Sequence, residues 1–537
     1  MAILLEKFDS VTAPAIPATV TVDSGLVTTA ASISGMSAPN QLVLTGATGH
    51  HACETVVSDG VGGNVTAIAK FRQVYGSQVI SIVYARATAS MLGGTASGTT
   101  YGAMILSGVG LRLYKWVAGS ATQIDTTVGD ASTFATGISY RLVLRASGSI
   151  LLVWCQRLSD SKFLSGAGSW GSAEALAIGT TDTSISAASG KAGVDLYLAD
   201  AGDTAYADDL SLSVNQNVFG DSIAFGYGAT VGWPVLLGVS RNQYWYNASV
   251  SGDQAADAAI KAYGIRPDAS LVMVGTNDQR TGGYGSNATK RGQWVKIMYA
   301  LLMWCALPTK KYAQNADAST GSWSNTSVYG GTVGKNISSS GATLTFNSIS
   351  GDVIYVGYTI QDGQTGTFKV KVDGSDVATG ETAGNGITTI NGAAYSPALL
   401  RISGMGAGSH TVVFETTNAG LCYCDFVAGI GNQTALNTVK VANIISPNST
   451  GFASFGVDEA NVGAFNSDLS GIVYVLKGDG IPIAMVDLHA LTISYQADGL
   501  HPDDTGQAQI ASAFSAAIDP IVRRVFALQG VTRAGSY

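Results

Sequence analysis

The stretch NQNVFGDSIAFGYGATVGW, residues 215–233, marks the point where the pattern of the chain changes. An apolar, β-type run ends there in Gly220-Asp221-Ser222, and a glycine-rich segment follows. Before this stretch, strand-like runs are separated by short turns. After it, strand-like and helix-like runs alternate, which is typical of a parallel α/β sheet. A serine directly after a buried strand is either a nucleophile or one more small polar residue. The residues downstream distinguish the two.

Residues 1–213 have the pattern of an all-β domain. Runs of β-branched and aromatic residues at 77–88, 109–119 and 140–156 are separated by Gly, Ser and Ala, with nothing resembling an amphipathic helix among them. We therefore predict a β-sandwich or jelly roll that serves for attachment or glycan binding. Its strand rhythm loosely resembles that of concanavalin-like and laminin-G-like jelly rolls.

Residues 214–308 and 434–537 alternate between strand and helix patterns, whereas residues 309–433 return to short alternating strands. One hairpin in the middle segment has Asp373-Gly374 at its turn. The simplest interpretation is an α/β domain with a parallel sheet, interrupted by a carbohydrate-binding-like β-sandwich of roughly 125 residues at a surface loop. The predicted α/β strands lie at 244–252, 269–278, 438–446 and 481–488, and the helices at 233–240, 252–264, 290–307 and 506–530.

The composition excludes several classes of protein. A formal net charge of −8 and the lack of any basic block argue against a nucleic-acid partner. The five scattered cysteines do not form a disulfide framework, and Cys422 and Cys424 are expected on one face of a strand rather than in a zinc site. The most apolar run, residues 297–308, is too short to span a bilayer.

The surface is expected to carry hydroxyls and amides, because charged residues make up only 12% of the chain and there are 67 glycines. Such a surface suits secreted, virion or cell-envelope proteins. The first twenty residues lack the sustained apolar core of a secretory signal. We therefore predict a virion or extracellular location that is reached without a classical signal peptide, for example by lysis.

Three groups of residues follow the serine in a defined order. Gly252 comes after one predicted strand. The next predicted strand is apolar and ends in Gly275-Thr276-Asn277-Asp278. Asp498 and His501 are three residues apart in DGLHP, just before the last predicted helix. All lie at the carboxyl ends of predicted strands or in the loops that follow, which is where open α/β sheets bind ligands.

These blocks resemble the GDSL/SGNH hydrolase superfamily of serine esterases, which includes carbohydrate O-acetylesterases. The resemblance rests on FGDS, the Gly252 region, VGTND and DGLHP, in the family's order, and covers about 214–308 and 434–530. It implies a three-layer, flavodoxin-like α/β fold. It also implies an oxyanion hole formed by the backbone N–H of Ser222, the N–H of Gly252 and the side chain of Asn277.

The triad roles follow from the chemistry of the residues. Serine needs an adjacent base, so His501 would accept the proton of Ser222 and later return it to the leaving alcohol. Asp498 can reach the other imidazole nitrogen and fix the tautomer. We expect glycine at 252 because of a close backbone approach. Asn277 could alternatively cap the turn after its strand.

Other polar residues are interpreted as structural. Asp278 is expected to accept hydrogen bonds, and Asp487 and His489 match no catalytic block and are assigned to the structure or the rim. The histidines at 50–51 lack neighbouring carboxylates and make a poor metal site. Asp503-Asp504 is expected to begin the last helix, where acidic residues favour the dipole. No cofactor or metal motif is present in the sequence.

The sequence therefore predicts a serine esterase that removes short acyl groups, above all O-acetyl groups, from a polysaccharide. Its domain layout resembles a phage tail-spike or tail-fibre protein, for which virion or homotrimer contacts would be expected, although the sequence has no coiled-coil heptads. Two alternatives remain open. One is a catalytically silent glycan-binding adhesin or receptor-binding protein, and the other is a secreted acetylxylan-type or lipase-like esterase.

Overall fold

The computed structural model describes residues 2–6, 21–22, 26–29, 41–56, 65–88, 99–147, 149–172, 174–185, 191–213, 215–241, 243–265, 268–280, 288–326, 334–361, 365–382, 395–433, 435–456 and 458–518. Two compact units are distinguished: the first comprises Met1–Asn215, Gly238–Tyr244 and Asp519–Tyr537, and the second Gln216–Leu237 and Trp245–Ile518. Five sheets are formed. The prediction of a multidomain chain rich in β-structure is therefore confirmed.

The first unit is built from two antiparallel sheets. Its strands are β1 Ala2–Glu6, β2 Thr21–Val22, β3 Leu26–Thr29, β4 Gln41–Thr45, β5 Gly49–Val56, β6 Val65–Val74, β7 Val79–Ala87, β8 Thr100–Leu106, β9 Gly110–Val117, β10 Ser120–Gln123, β11 Ser139–Ser147, β12 Ile150–Arg157, β13 Lys162–Leu164, β14 Trp170–Gly171, β15 Ile178–Thr181, β16 Lys191–Leu198 and β17 Thr204–Ser213. The larger sheet has the order β14-β13-β12-β11-β6-β17-β4-β3, with β1 beside β17 and β15 beside β12. The other has the order β10-β9-β8-β7-β16-β5-β2.

Alternate side chains from both sheets share one core. Phe71 and Leu142 of the larger sheet belong to the same buried cluster as Val83, Ile105 and Leu196 of the smaller one. Because successive side chains of a strand point to opposite faces, this pattern places the two sheets face to face as a β-sandwich.

The second unit combines a parallel sheet with two further antiparallel sheets. Its strands are β18 Gln216–Gly220, β19 Trp245–Asn247, β20 Ala269–Met273, β21 Lys311–Tyr312, β22 Ala318–Thr320, β23 Ser324–Thr326, β24 Gly334–Ile337, β25 Thr343–Ser350, β26 Val353–Gln361, β27 Thr367–Val372, β28 Ser375–Thr382, β29 Tyr395–Ser403, β30 Ser409–Thr416, β31 Cys422–Gly429, β32 Thr438–Ala442 and β33 Ile483–Val486. The helices are α1 Ser222–Phe225, α2 Trp233–Arg241, α3 Ala255–Ile265, α4 Thr276–Arg280, α5 Ala288–Ala306, α6 Ser449–Phe455, α7 Glu459–Gly478 and α8 Asp504–Ala517. Short 3₁₀ turns span Ala313–Asn315 and Ile430–Asn432.

The parallel sheet has the order β19-β18-β20-β32-β33 and carries helices on both faces. Val272 of β20 lies in a core with α3, α5 and α7, whereas its neighbour Leu271 lies in a second core with α2 and α8. Trp233 at the start of α2 stacks on Phe514 of α8, with ring centroids 4.3 Å apart. A strand covered on both faces explains why β20 is apolar apart from Ser270, which is itself buried.

The two antiparallel sheets of this unit lie in sequence between α5 and β32. One has the order β23-β24-β31-β26-β29, with β21 beside β31, and the other β22-β25-β30-β27-β28. Phe368 and Phe414 stack in their shared core with centroids 4.3 Å apart. Cys422 and Cys424 are both buried in the same cluster, and all five cysteines are free thiols.

The last helix differs from its prediction in length. It was expected over 506–530, but α8 spans Asp504–Ala517, and Ile518 at its C-cap is extended with ψ of 130°. The rest of the predicted helix, from residue 519 onward, lies outside the described residues. Within the described part of the chain, no helix is long and apolar enough to cross a membrane.

Candidate active site

Ser222 lies immediately beyond the carboxyl end of β18, an inner strand of the parallel sheet. Asp221 is the N-cap of α1, and its carboxylate accepts a hydrogen bond of 3.0 Å from the backbone N–H of Ile223. Gly226 ends this single helical turn in the left-handed conformation. The strand–turn–helix geometry therefore fixes the backbone of Ser222, and its side chain is buried apart from a small exposed fraction.

The structure brings Ser222, His501 and Asp498 into one chain of hydrogen bonds. The Nε2 of His501 lies 2.9 Å from the Oγ of Ser222, and its Nδ1 lies 2.6 Å from the Oδ2 of Asp498. The ionised carboxylate is an acceptor only, so Nδ1 carries a proton and donates it. In neutral His501, Nε2 is then the acceptor that faces the serine hydroxyl, which is the arrangement a general base requires.

Asp498 is held by the short loop that it shares with His501. Its Oδ1 accepts from the backbone N–H groups of Leu500 and His501, at 2.9 and 3.0 Å. Partial burial raises the pKa of Asp498, but the hydrogen bonds from the His501 side chain and from both N–H groups lower it by more. The net pKa lies below that of an ordinary aspartate, so the carboxylate stays ionised beside the imidazole.

Gly252 lies in the loop after β19 and adopts a φ of +92°. We expected glycine here because of a close backbone approach, and no described protein atom makes one. A Cβ built at 252 would meet no atom within 4 Å. The left-handed backbone itself requires glycine, because other residues adopt this conformation only with strain.

Asn277 lies in α4, beyond the carboxyl end of β20, and is buried. Its Nδ2 donates a hydrogen bond of 2.9 Å to the backbone carbonyl of Asp253. This bond places the Asn277 amide beside Gly252, because Asp253 is the next residue. Strands β18 and β20 are neighbours in the sheet, with Gly220 paired to Met273, so the Ser222 and Asn277 segments leave the sheet side by side.

Sequence reasoning did not identify Asp253 and Lys261 as parts of the site. The Asp253 carboxylate accepts from the N–H of Val250 at 2.9 Å and forms an ion pair with Lys261 of α3. Its backbone N–H donates to the Val250 carbonyl. Asp253 thus closes the turn that contains Gly252 and ties it to both α3 and Asn277. Eight residues separate the ion-paired side chains, and only the folded helix brings them together.

Four buried carboxyl groups surround this part of the site: Asp221, Asp253, Asp257 and Asp278. Burial raises the pKa of each, to about 7 for Asp221 and about 8 for Asp278. Asp278 accepts from the N–H of Ala255 at the start of α3, at 3.1 Å, which agrees with the structural role predicted for it. These groups anchor the ends of the loops that carry Gly252 and Asn277.

The remaining predicted residues take structural positions in the second unit. Asp487 accepts from Asn443 at 2.7 Å, and Nε2 of His489 lies 2.8 Å from the carboxylate of Glu459. Asp503 caps α8 by accepting from the N–H of Gly506. Asp504 in the first turn of this helix accepts from Thr230.

His50 has a carboxylate neighbour that its own segment did not reveal. Its Nδ1 lies 2.8 Å from Asp195 on the adjacent strand β16, so the expectation of no nearby carboxylate is wrong. Burial lowers the pKa of His50, but the bond and charge of Asp195 raise it by more. Across the residues described in both units, no cluster of three or more His, Cys, Asp or Glu is placed to hold a metal ion.

No protein-family model matches the chain. No curated protein matches it either. Among solved structures, a two-domain esterase active on acetylated mannans, co-crystallised with mannopentaose, has a TM-score of 0.25 and 14% identity over 40% of this chain and 90% of that one.

Two carbohydrate-binding modules are also similar to part of the chain. The CBM36-1 domain of a multidomain xylanase from the hindgut metagenome of Trinervitermes trinervoides has a TM-score of 0.18 and 12% identity, covering 22% of this chain and 93% of that one. CsCBM6-3 from Clostridium stercorarium, in complex with cellobiose, has a TM-score of 0.18 and 18% identity, covering 22% and 91%. Because all these TM-scores are below 0.5, we interpret the site from its own geometry.

Proposed function

We propose that this protein is a serine esterase of the GDSL/SGNH type that removes O-acetyl groups from a polysaccharide. The observation that carries the proposal is the hydrogen-bonded series from Ser222 through His501 to Asp498, with distances of 2.9 and 2.6 Å. A nucleophile, a base and a group that orients the base are the three parts that acyl transfer by serine requires. The parallel sheet that carries them supports the family assignment.

In the proposed reaction, the Oγ of Ser222 attacks the ester carbonyl carbon while His501 takes the hydroxyl proton. The resulting oxyanion accepts hydrogen bonds from the N–H groups of Ser222 and Gly252 and from the Asn277 side chain. The bond to the alcohol oxygen then breaks, and His501 returns the proton to that oxygen. Water, deprotonated by His501, attacks the acyl-enzyme and releases the carboxylic acid and Ser222.

Two features support a carbohydrate ester rather than a lipid as substrate. The sequence contains no long apolar segment that could serve as a lid. The second unit also carries a β-sandwich between α5 and β32, an architecture that offers exposed strand ends and loops for contact with an extended polymer. We propose that one or both β-modules bind the glycan chain, with the hydrolase acting on its acyl groups.

The test is hydrolysis of p-nitrophenyl acetate, butyrate and octanoate by the protein and by Ser222→Ala. We expect turnover to be highest for acetate, to fall with acyl length and to disappear in Ser222→Ala. Ser249→Ala is a matched control, because this buried serine follows the neighbouring strand β19 but lies outside the hydrogen-bonded series from Ser222 to Asp498. Preference for octanoate would indicate a lipase-like enzyme. Activity no higher than that of Ser222→Ala on these esters and on acetylated polysaccharide would favour the glycan-binding adhesin.

We also propose that the protein belongs to a phage tail, where the first unit attaches the enzyme to the particle. The low content of charged residues and the β-sandwich of the first unit support this location. Mass spectrometry of purified particles from a producing culture should detect the chain, and light scattering should give the mass of a homotrimer. Detection only as free monomer would favour the secreted esterase.

A further inference from the structure

Exposed apolar side chains collect in the two segments that carry Ser222 and Gly252. Phe225 and Tyr227 are 53% and 49% exposed, and both lie within five residues of Ser222. Val250, two residues before Gly252, is 49% exposed. Leaving large apolar groups in water forgoes favourable burial, so exposed aromatic side chains within five residues of the candidate nucleophile indicate a contact surface for a ligand.

Aromatic rings flank the imidazole of His501. The centroid of the Tyr227 ring lies 4.7 Å from the imidazole centroid, with a tilt of 44°. The half-buried ring of Phe455, in α6, lies at 6.2 Å and perpendicular to it. His501 itself is buried, so the open part of this aromatic group is the exposed surface of Tyr227.

Backbone hydrogen bonds hold Tyr227 in place, and about half of its surface stays exposed. Its N–H donates to the carbonyl of Ser222 at 2.9 Å, and its carbonyl accepts from Nε2 of Gln496 at 2.7 Å. The same Nε2 donates to the carbonyl of Pro502, next to His501, at 3.0 Å. Gly228 has a φ of +72°, and a Cβ there would lie 2.3 Å from the Gln496 side chain. The loop that carries Tyr227 is therefore hydrogen-bonded to Ser222 and, through Gln496, to the residue next to His501. A binding element requires such preorganisation.

We infer that the exposed ring of Tyr227, next to the imidazole of His501, forms a stacking platform for the sugar ring that bears the acyl group. This inference rests on the proposed esterase function and specifies its substrate. His501 must deliver its proton to the alcohol oxygen, so that oxygen lies next to Nε2, and groups beside the imidazole contact the alcohol rather than the acyl part. A pyranose presents apolar C–H groups on its faces, which pack on exposed aromatic rings.

The test compares an ester with a sugar ring to one without any ring, for the protein and for Tyr227→Ala. The substrates are methyl glucopyranoside carrying one O-acetyl group and ethyl acetate, both followed by acid release at constant pH. We expect the ratio of kcat/KM, sugar ester over ethyl acetate, to fall roughly tenfold in Tyr227→Ala, mainly through KM. Tyr227→Phe keeps the ring and should keep the ratio. Tyr474→Ala removes a tyrosine that is 81% exposed in α7, and should leave both rates as they are.

Equal losses on both substrates would overturn the inference, because Tyr227 would then only position His501. A selective loss on octanoate over acetate esters of one alcohol would also overturn it and would place the acyl chain on the platform. Failure of the esterase proposal itself looks different, since the unaltered protein would then release no more acid from either ester than Ser222→Ala does.

Discussion

Replacing Asn277 by alanine tests the proposed oxyanion hole, and a comparison variant separates that role from the support that Asn277 gives to the surrounding loop. The variant removes the Nδ2 donor and also the 2.9 Å bond to the carbonyl of Asp253. Loss of one oxyanion donor lowers kcat about 10²–10³-fold, whereas loss of one ordinary hydrogen bond changes stability by only about 1 kcal/mol. We therefore expect a fall in kcat of at least about 10²-fold, with KM little changed.

Lys261→Met is the comparison that separates the two roles of Asn277. It removes the ion pair to Asp253 and loosens the same turn, but it leaves the Asn277 amide and the bond from the Val250 N–H in place. Because those two hydrogen bonds still hold the turn, we expect kcat to fall less than about tenfold.

Asn466→Ala is a matched control for the removal of an amide. Asn466 bonds to both the N–H and the carbonyl of Ile444, at 2.7 and 2.9 Å, so its loss should lower stability without a comparable effect on kcat. All three variants would be assayed on p-nitrophenyl acetate after their unfolding midpoints had been measured. If Asn277→Ala lowered kcat no more than Lys261→Met does, Asn277 would act only by holding the loop, and the oxyanion assignment would be refuted.

Three further predictions concern the triad, pH and the fold. Asp498→Asn should lower kcat about 10³–10⁴-fold at unchanged KM, because an amide no longer holds the required tautomer, and steady-state kinetics on p-nitrophenyl acetate would show it. The raised pKa of Asp278, about 8 against an ordinary value near 4, means that the folded state retains a proton which the unfolded chain loses. Stability should therefore decrease between about pH 4 and 8, and urea unfolding of Asp278→Asn should show a flatter pH profile; an identical slope would contradict the assignment. Asp479→Ala should lower unfolding free energy by about 1–3 kcal/mol, because Arg401 donates two bonds to this buried carboxylate, whereas Asp468→Ala, which removes the half-buried partner of Arg291, should cost less than about 1 kcal/mol.

Much of the fold was accessible from local patterns. The apolar pattern at 269–278 predicted a buried strand, and β20 spans Ala269–Met273; the long apolar pattern at 290–307 predicted α5, which spans Ala288–Ala306. The hairpin at Asp373-Gly374 was also predicted, and both residues have positive φ, +50° and +84°, as a type I′ turn requires. Sheet order was not accessible, because the pairing of β20 with β32 joins segments separated by the inserted sandwich.

The candidate site divides in the same way. Ser222, Asn277, Asp498 and His501 stand in short motifs whose residue types reveal their chemistry. The turn around Gly252 depends instead on Asp253, which meets its partners only in the folded structure. Its carboxylate lies among four buried carboxyl groups from three segments of the chain, and no single segment of sequence indicates that the three converge. The positive φ of Gly252 was not predicted, because a close backbone approach and a positive φ both favour glycine and the sequence alone does not distinguish them.

The inserted sandwich begins and ends at one point of the α/β part of the second unit. The N–H of Asn437 donates to the carbonyl of Ala306 at 2.9 Å, and the side chain of Gln433 bonds to both the N–H and the carbonyl of Thr309. Ends that lie together allow a long insertion with little disturbance of the host sheet. Adjacent ends do not by themselves show that the insertion packs as a separate domain.

Packing shows that it is not separate, because aromatic side chains of helices α3 and α5 are buried together with one from the sandwich. Trp304 of α5 stacks on Tyr263 of α3 with centroids 3.8 Å apart, and Phe426 of β31 packs edge-on against Trp304 at 5.6 Å. All three are buried in one cluster. Excising the sandwich would expose large apolar surfaces on α3 and α5, a loss of several kcal/mol of burial, so a chain truncated in this way would fail for reasons of stability. Any contribution of the sandwich to glycan binding must therefore be measured with surface substitutions in the intact chain, where it is held at a fixed distance from Ser222 rather than on a flexible tether.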